Sequence, residues 1–198
     1  MSLHKISLRQ SILAKIAAKA HQRANCILRA FLSKDINLLM RAFIVYVRPI
    51  VEYCSVVWSP SLKKDIELIE EVQPRFTKRL PGLKHMSYNE RLHYLGLSSL
   101  ELRRLHLDLI YYYKIVFGVV NLNFSDFFEF SLVTAARGHA YKLYKPNCVN
   151  STRSRYFVDR IVNVWNFLPS SVNFSTLNAF KRSIVFRDCS SFMKCITE

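Results

Sequence analysis

Residues 33 to 60 read SKDINLLMRAFIVYVRPIVEYCSVVWSP. Ile36, Leu39, Phe43, Tyr46, Ile50, Tyr53 and Val57 recur at alternating spacings of three and four, the pattern of a helix whose apolar seam has to be buried. Ser33 is placed to cap the first free N–H groups, and Asp35 to put a negative charge in the first turn, where the helix dipole favours it. Pro49 lies inside the pattern. Its ring removes a backbone donor and clashes with the carbonyl four residues earlier, so either the helix kinks or two shorter helices meet there. Arg48 and Glu52, four apart, can pair across that weak point.

On the N-terminal side, Ile12, Ile16, Ala20, Ile27 and Phe31 fall on one helical face, with Lys15, Lys19, Arg23 and Lys34 off that stripe or at its edge. This is a basic amphipathic helix. Its cations suit a solvated face, a phosphate backbone or an anionic membrane surface. On the other side, Trp58-Ser59-Pro60 is a turn, and Ser61 is placed to cap a helix carrying Leu62, Ile66, Ile69 and Val72. Pro74 would kink or end that helix. Arg75, Lys78 and Arg79 then cluster beside Phe76 and Leu80, before the breaker Pro81-Gly82.

Two capping boxes follow, Ser87 with Glu90 and Ser98 with Glu101, each pairing a hydroxyl N-cap with a carboxylate three residues on. The second predicts a helix over Ser99 to Phe117, with Leu102, Leu105, Leu109, Tyr112, Tyr113 and Val116 as its stripe and Gly118 as terminator. Arg103 and Arg104 sit in its first turn, where the dipole disfavours cations. A bound phosphate would relieve that, as would pairing with Glu101 or Asp108. From Asn121 the helical repeat fades. Turn signals at Arg137-Gly138 and Lys145-Pro146-Asn147 make the stretch irregular, with room for a small β-hairpin. Here Arg137, His139, Lys142, Arg153 and Arg155 alternate with Tyr141, Tyr144, Tyr156 and Phe157. That interleaving suits single-stranded nucleic acid, with charges for phosphates and rings for bases, and equally an aromatic core. Phe157, Ile161, Val164 and Leu168 form another helical stripe, and Ser175 or Thr176 caps a last helix with Leu177, Phe180 and Ile184. A loose tail is expected from Asp188.

VRPIVEYCSVVWSP and KKDIELIEEVQPRFTKRLPGL, followed in order by SYNERLHYLGLSSLELRR, DLIYYYKI, RGHAYKL and VNVWNFLPSSV, resemble the region after the polymerase core in reverse transcriptases of non-LTR (LINE-like, jockey-type) retrotransposons. The resemblance covers nearly the whole chain. It implies a thumb-like helical segment over 1–82 and a C-terminal helical extension over 83–198, with the irregular insert near 121–156, both handling nucleic acid. Pro74 departs from the family, in which that position is usually basic and the helix runs on.

The 198 residues carry a net charge of +15, and 51% of them are hydrophobic, ample for a packed core. Residues 1–34 hold seven Lys or Arg and no acid, 72–104 seven against two, and 131–160 six against one. Three basic blocks suggest a polyanion-binding surface. Five scattered cysteines without a C-x-x-C pair point to reduced thiols in an intracellular protein, nuclear or cytoplasmic, and to no metal site. No apolar run approaches the roughly 18 residues that cross a bilayer, and the basic N-terminus lacks the apolar region of a secretory signal.

Reverse transcription needs paired carboxylates for two metal ions. The chain has no Asp-Asp dipeptide, and it lacks G-x-x-x-x-G-K, H-E-x-x-H and G-x-S-x-G. The expectation is therefore a mainly α, irregular helical bundle without catalytic activity or cofactor, binding RNA or DNA through the backbone. The rivals are a module that docks a reverse transcriptase core or a second copy of itself, and an unselected retrotransposon remnant.

Overall fold

A computed structural model describes residues 3–131, 138–145, 157–185 and 190–195. Among them the chain is mainly α-helical, and the sole β pairing is one isolated antiparallel bridge between Phe130 and Leu143. The hairpin expected near 121–156 reduces to that bridge within the described part. Two compact units result, Met1–Arg104 with Lys194–Glu198, and Leu105–Met193. The Pro81-Gly82 turn lies inside the first.

In the first unit α1 spans Leu3–Ala30. It buries Leu13, Ala17, Ala20, Ala24 and Ile27, while Ile12 and Phe31 stay exposed. Ala20 and Ile27 of the expected stripe are thus in the core and Ile16 packs half-buried against it, with the buried face shifted towards Leu13, Ala17 and Ala24, where alanines let neighbouring backbones approach closely. The decisive stretch divides into α2 (Ile36–Tyr46), α3 (Arg48–Glu52) and α4 (Ser55–Trp58). Asp35, not Ser33, is the N-cap of α2, its carboxylate accepting from Asn37 N at 2.9 Å.

Pro49 stands in the first turn of α3, where its missing N–H costs nothing. The break at Val47 and the left-handed Cys54 (φ 52°) change the helical phase. As a result Val47 and Val51 are buried, whereas Tyr46, Tyr53 and Val57 of the expected seam are 56%, 78% and 84% exposed. Only its first half, Leu39 and Phe43, reaches the core fully.

Helices α5 (Lys63–Glu70) and α6 (Val72–Thr77) replace the single helix expected here. Ser61 gives α5 no cap, since Leu62 occupies that position without a side-chain bond. The interruption at Glu71 puts Pro74 in the first turn of α6, so no helical hydrogen bond is lost there. Phe76 stacks on Phe43 with centroids 4.6 Å apart. Helix α7 (Tyr88–Leu95) begins with the expected Ser87/Glu90 capping box, both of its bonds present. Helix α8 (Leu100–Val116) does not use the second one. Its cap is Ser99, whose Oγ accepts from Leu102 N at 3.1 Å.

The second unit contains the remainder of α8, with α9 (Phe157–Phe167) and α10 (Leu177–Val185). Leu109, Tyr112 and Tyr113 of α8 are buried, as are Ile161, Trp165, Phe180 and Ile184. At the end of α8, Val119 N bonds Lys114 O at 2.8 Å and Gly118 N bonds Ile115 O at 3.2 Å. This double closure requires Gly118 in the left-handed region, at φ 64°. Thr176 caps α10, accepting from Ala179 N. The tail includes a short 3₁₀ turn, Ser190–Phe192. Beyond it, Lys194 N and Cys195 N donate to Glu101 within the first unit.

Candidate nucleic-acid interface

Arg75, Lys78 and Arg79 lie in or just beyond α6, on the side away from Phe76 and Thr77, which are buried. With His21, Asn25 and Leu28 of α1 they line a groove of about 430 Å³, floored by Ala24, Val72 and Phe76. Arg79 Nη1 donates to Asn25 Oδ1 at 2.5 Å, which ties the two helices together and fixes the guanidinium. Arg75 pairs with Glu71 at 2.5 Å on an exposed surface, a link a phosphate can exchange because such pairs contribute little. Lys78 is exposed. Burial and the neighbouring Arg75 cation hold the His21 imidazole below its usual range, with Glu71 opposing them. The floor is apolar and the rim cationic.

The other candidates distribute differently. Lys15, Lys19 and Arg23 are exposed on α1. At about 100° per residue they fall on one flank of the buried Leu13/Ala17/Ala20/Ala24 stripe, and His21, Asn25 and Leu28 fall on the other. The fold therefore does not bring Lys15, Lys19 and Arg23 to the α6 cluster. The sequence reading missed His21 and Asn25. Their signal was available in the 4-3 spacing through Leu28, beside the alanine stripe.

The start of α8, expected as a phosphate seat, already holds an anion of the protein itself. Glu70, 5% exposed, accepts from Leu100 N at 3.0 Å, Glu101 N at 2.8 Å and the Tyr88 hydroxyl at 2.8 Å. Burial raises the Glu70 carboxyl above its usual range, opposed by Arg104 and these donors. Arg103 reaches back to Glu52 of α3, binding it through Nε and, at 3.1 Å, through Nη2. Arg104 retains 2% exposure. Neither of the two pairs expected for them, with Glu101 or with Asp108, accounts for Arg103. For Arg103 the dipole penalty is met by Glu52 of α3, a long-range arrangement that no local spacing announces. Arg91 is likewise internal, 5% exposed and donating to Pro74 O at 3.0 Å. Of the basic block over 72–104, Arg75, Lys78, Arg79 and Lys84 stay exposed.

Arg48 is the anomaly of this unit. It is 6% exposed, and its Nε and Nη2 are buried without a hydrogen-bond partner. Burial, and then the cation of Arg103, push it down to about 10, with Glu52 and Tyr88 acting the other way. Glu52, four residues on as the sequence reading noted, is engaged by Arg103 instead.

In the second unit His139 is a core residue, 7% exposed. Its Nδ1 accepts from Tyr141 N at 3.2 Å and its Nε2 lies 2.8 Å from Trp165 O, so the ring is neutral with the proton on Nε2. Burial lowers its affinity for a second proton. Trp165 Nε1 returns a bond to Tyr141 O at 2.7 Å. Asn166 takes the place of a strand partner, its amide bonding both Leu143 N and Leu143 O at 2.9 Å. The imidazole is thereby removed from any surface role, while Tyr144 stays 55% exposed and Tyr141 37%. Gly138 has φ 118°, and a Cβ there would meet the Lys142 chain at 3.1 Å. Lys142 is half-buried. Arg137, Arg153 and Arg155 lie outside the described residues.

Among the described residues no group of three His, Cys, Asp or Glu side chains is placed to hold a metal ion. None of the described helices is long and apolar enough to cross a membrane.

No protein-family model matches the chain, and no solved structure matches it. It is similar to an uncharacterised protein of Caenorhabditis elegans, 26% identical over 106 residues, which are 52% of this chain and 54% of that protein. The chain thus spans about half the length of the curated relative it matches.

Proposed function

We propose that the chain is a non-catalytic nucleic-acid-binding module that grips RNA or DNA through the phosphate backbone, as its resemblance to the thumb and extension of a non-LTR reverse transcriptase implies. The observation that carries this reading is the set Arg75, Lys78 and Arg79 around one groove with α1, on a chain of net charge +15. Phosphate contacts position a nucleic acid without reading its bases, so sequence preference is weak. Each contact contributes about −0.9 to the slope of log K against log salt on duplex DNA. The groove alone then gives a slope near −3, and further sites along the chain steepen it. Filter binding to single- and double-stranded oligonucleotides between 50 and 200 mM salt tests this. Absence of binding at the lower salt overturns it.

A second reading has its own observation. Tyr46, Tyr53 and Val57 stand 56%, 78% and 84% exposed along the decisive stretch, and large apolar side chains left in water favour docking or self-association. Sedimentation velocity without nucleic acid distinguishes the two, since a clean monomer counts against self-association.

A further inference from the structure

We infer that the α1–α6 groove seats an unpaired nucleobase, so that the nucleic acid it takes is single-stranded. The inference rests on the backbone-binding reading above and narrows it. Phosphates meet cations in water and need no recess, and burying them against carbon is costly. Yet behind Arg75, Lys78 and Arg79 lies a space of about 430 Å³ floored by Ala24, Val72 and Phe76, with Leu28 on its wall. That size falls within the roughly 300–1,000 Å³ of small-molecule pockets. Its occupant has to join an apolar body to an anionic chain. An unpaired nucleotide does so, whereas a duplex keeps its bases stacked inside and offers only its phosphate edge to such a recess.

The polar groups fit the same occupant. Arg79 is pinned by Asn25 at 2.5 Å, which presents a fixed guanidinium plane for a ring to stack on. That bond uses the Asn25 carbonyl oxygen, so the amide N–H groups remain for an acceptor on a base edge. His21 stays neutral beside Arg75 and adds a donor or acceptor without adding charge. An acidic amphipathic helix would match the sign of the rim. However, helix-in-groove binding uses anchors from i to i+7, about 10 Å, and the six-residue α6 provides only about 9 Å of wall.

The test compares a labelled thymidine 12-mer with a strand of equal length in which every base is removed, by fluorescence anisotropy at 50 mM salt. The phosphates are alike, so the ratio of affinities reports the base. Wild type is expected to favour the intact strand roughly tenfold. Leu28→Trp, which fills the recess, is expected to bring the ratio near one with the salt slope unchanged. Asn25→Ala, which frees Arg79, lowers the ratio without filling anything. Lys78→Gln weakens both strands alike and flattens the salt slope by about one. Circular dichroism checks that each variant is folded. Equal binding of the intact and abasic strands by wild type overturns the base pocket and leaves the phosphate grip standing. Binding of neither strand removes the proposed function itself. A Glu/Leu-rich helical peptide that binds wild type but not Leu28→Trp, with the two strands bound equally, makes the groove a protein site and overturns the inference.

Discussion

Replacing Arg48 with methionine is expected to stabilise the first unit, although it deletes a charged residue from the most recognisable stretch of the chain. Arg48 is 6% exposed, two of its guanidinium nitrogens have no partner, and Arg103 stands nearby with the same charge. Its drop from 12.5 to about 10, at about 1.4 kcal/mol per pH unit, corresponds to roughly 3 kcal/mol against the charged form. An unsatisfied buried donor costs about 1–3 kcal/mol, which is of the same size. Methionine is of similar length and carries no donors. Glu52 keeps Arg103 as its partner, so no carboxylate is orphaned. The expected gain is about 1–3 kcal/mol, the range seen when buried ionic groups give way to apolar ones. For a chain of this size each kcal/mol raises the melting temperature by about 2–4 °C. The chain has two tryptophans, Trp58 in the first unit and Trp165 in the second. With 5-fluorotryptophan labelling, each resonance in a urea titration therefore reports one unit. Arg48→Lys should give no gain. Glu52→Gln should cost about 1–3 kcal/mol by leaving two neighbouring cations without a carboxylate in a part-buried site. A fall of 1 kcal/mol or more for Arg48→Met, with the m value unchanged, refutes the reasoning and means that the guanidinium is satisfied by something bound there.

Three further outcomes follow from the buried networks. Glu70→Gln should cost about 2–3 kcal/mol, because one amide oxygen cannot serve Leu100 N, Glu101 N and the Tyr88 hydroxyl together; a thermal melt unchanged from wild type contradicts the carboxylate cap on α8. Burial holds the His139 pKa below its ordinary 6.5. Its neutral form therefore contributes stability that is fully present above about pH 6.5 and lost as pH falls towards the lower folded value. The Trp165 unfolding midpoint should accordingly drop between about pH 7 and pH 5 in wild type, and drop less in His139→Gln; identical slopes would place the pH dependence elsewhere. Asn166→Ala should cost about 1–3 kcal/mol by leaving Leu143 N–H and C=O unmatched. Faster hydrogen exchange at Leu143, with little change around Ser87, is the corresponding local signature.

Local rules reached far in this chain, and particular residues show where they stopped. The Ser87/Glu90 box, the Gly118 terminator, the cap at Thr176 and a break at Pro49 all depend on atoms within a few residues of one another, and all form. Ser98/Glu101 has the same spacing as Ser87/Glu90 and fails, because Glu70, some thirty residues earlier, supplies the carboxylate that the α8 start needs. Periodicity identified the seam through Leu39 and Phe43 but extended it too far. A 3-4 count assumes unbroken helical phase, and Val47 with left-handed Cys54 resets it, turning Tyr53 and Val57 outward. On α1, periodicity placed Ala20 and Ile27 in the core as found but also put Ile12 there, whereas packing centred the buried face on Leu13, Ala17 and Ala24.

By itself the sequence determined that the chain is helical, strongly basic and able to bury a core, since composition, caps and breakers act through neighbours along the chain. Which cations face solvent was decided only by tertiary structure. Lys15, Lys19 and Arg23 went to one flank of α1 and Arg75, Lys78 and Arg79 to a groove on the other, while Arg48, Arg91 and Arg104 went inside. A charge becomes a contact or a structural tie according to which carboxylates and carbonyls the fold brings beside it. Those partners come from helices separated along the chain by distances that no local pattern spans.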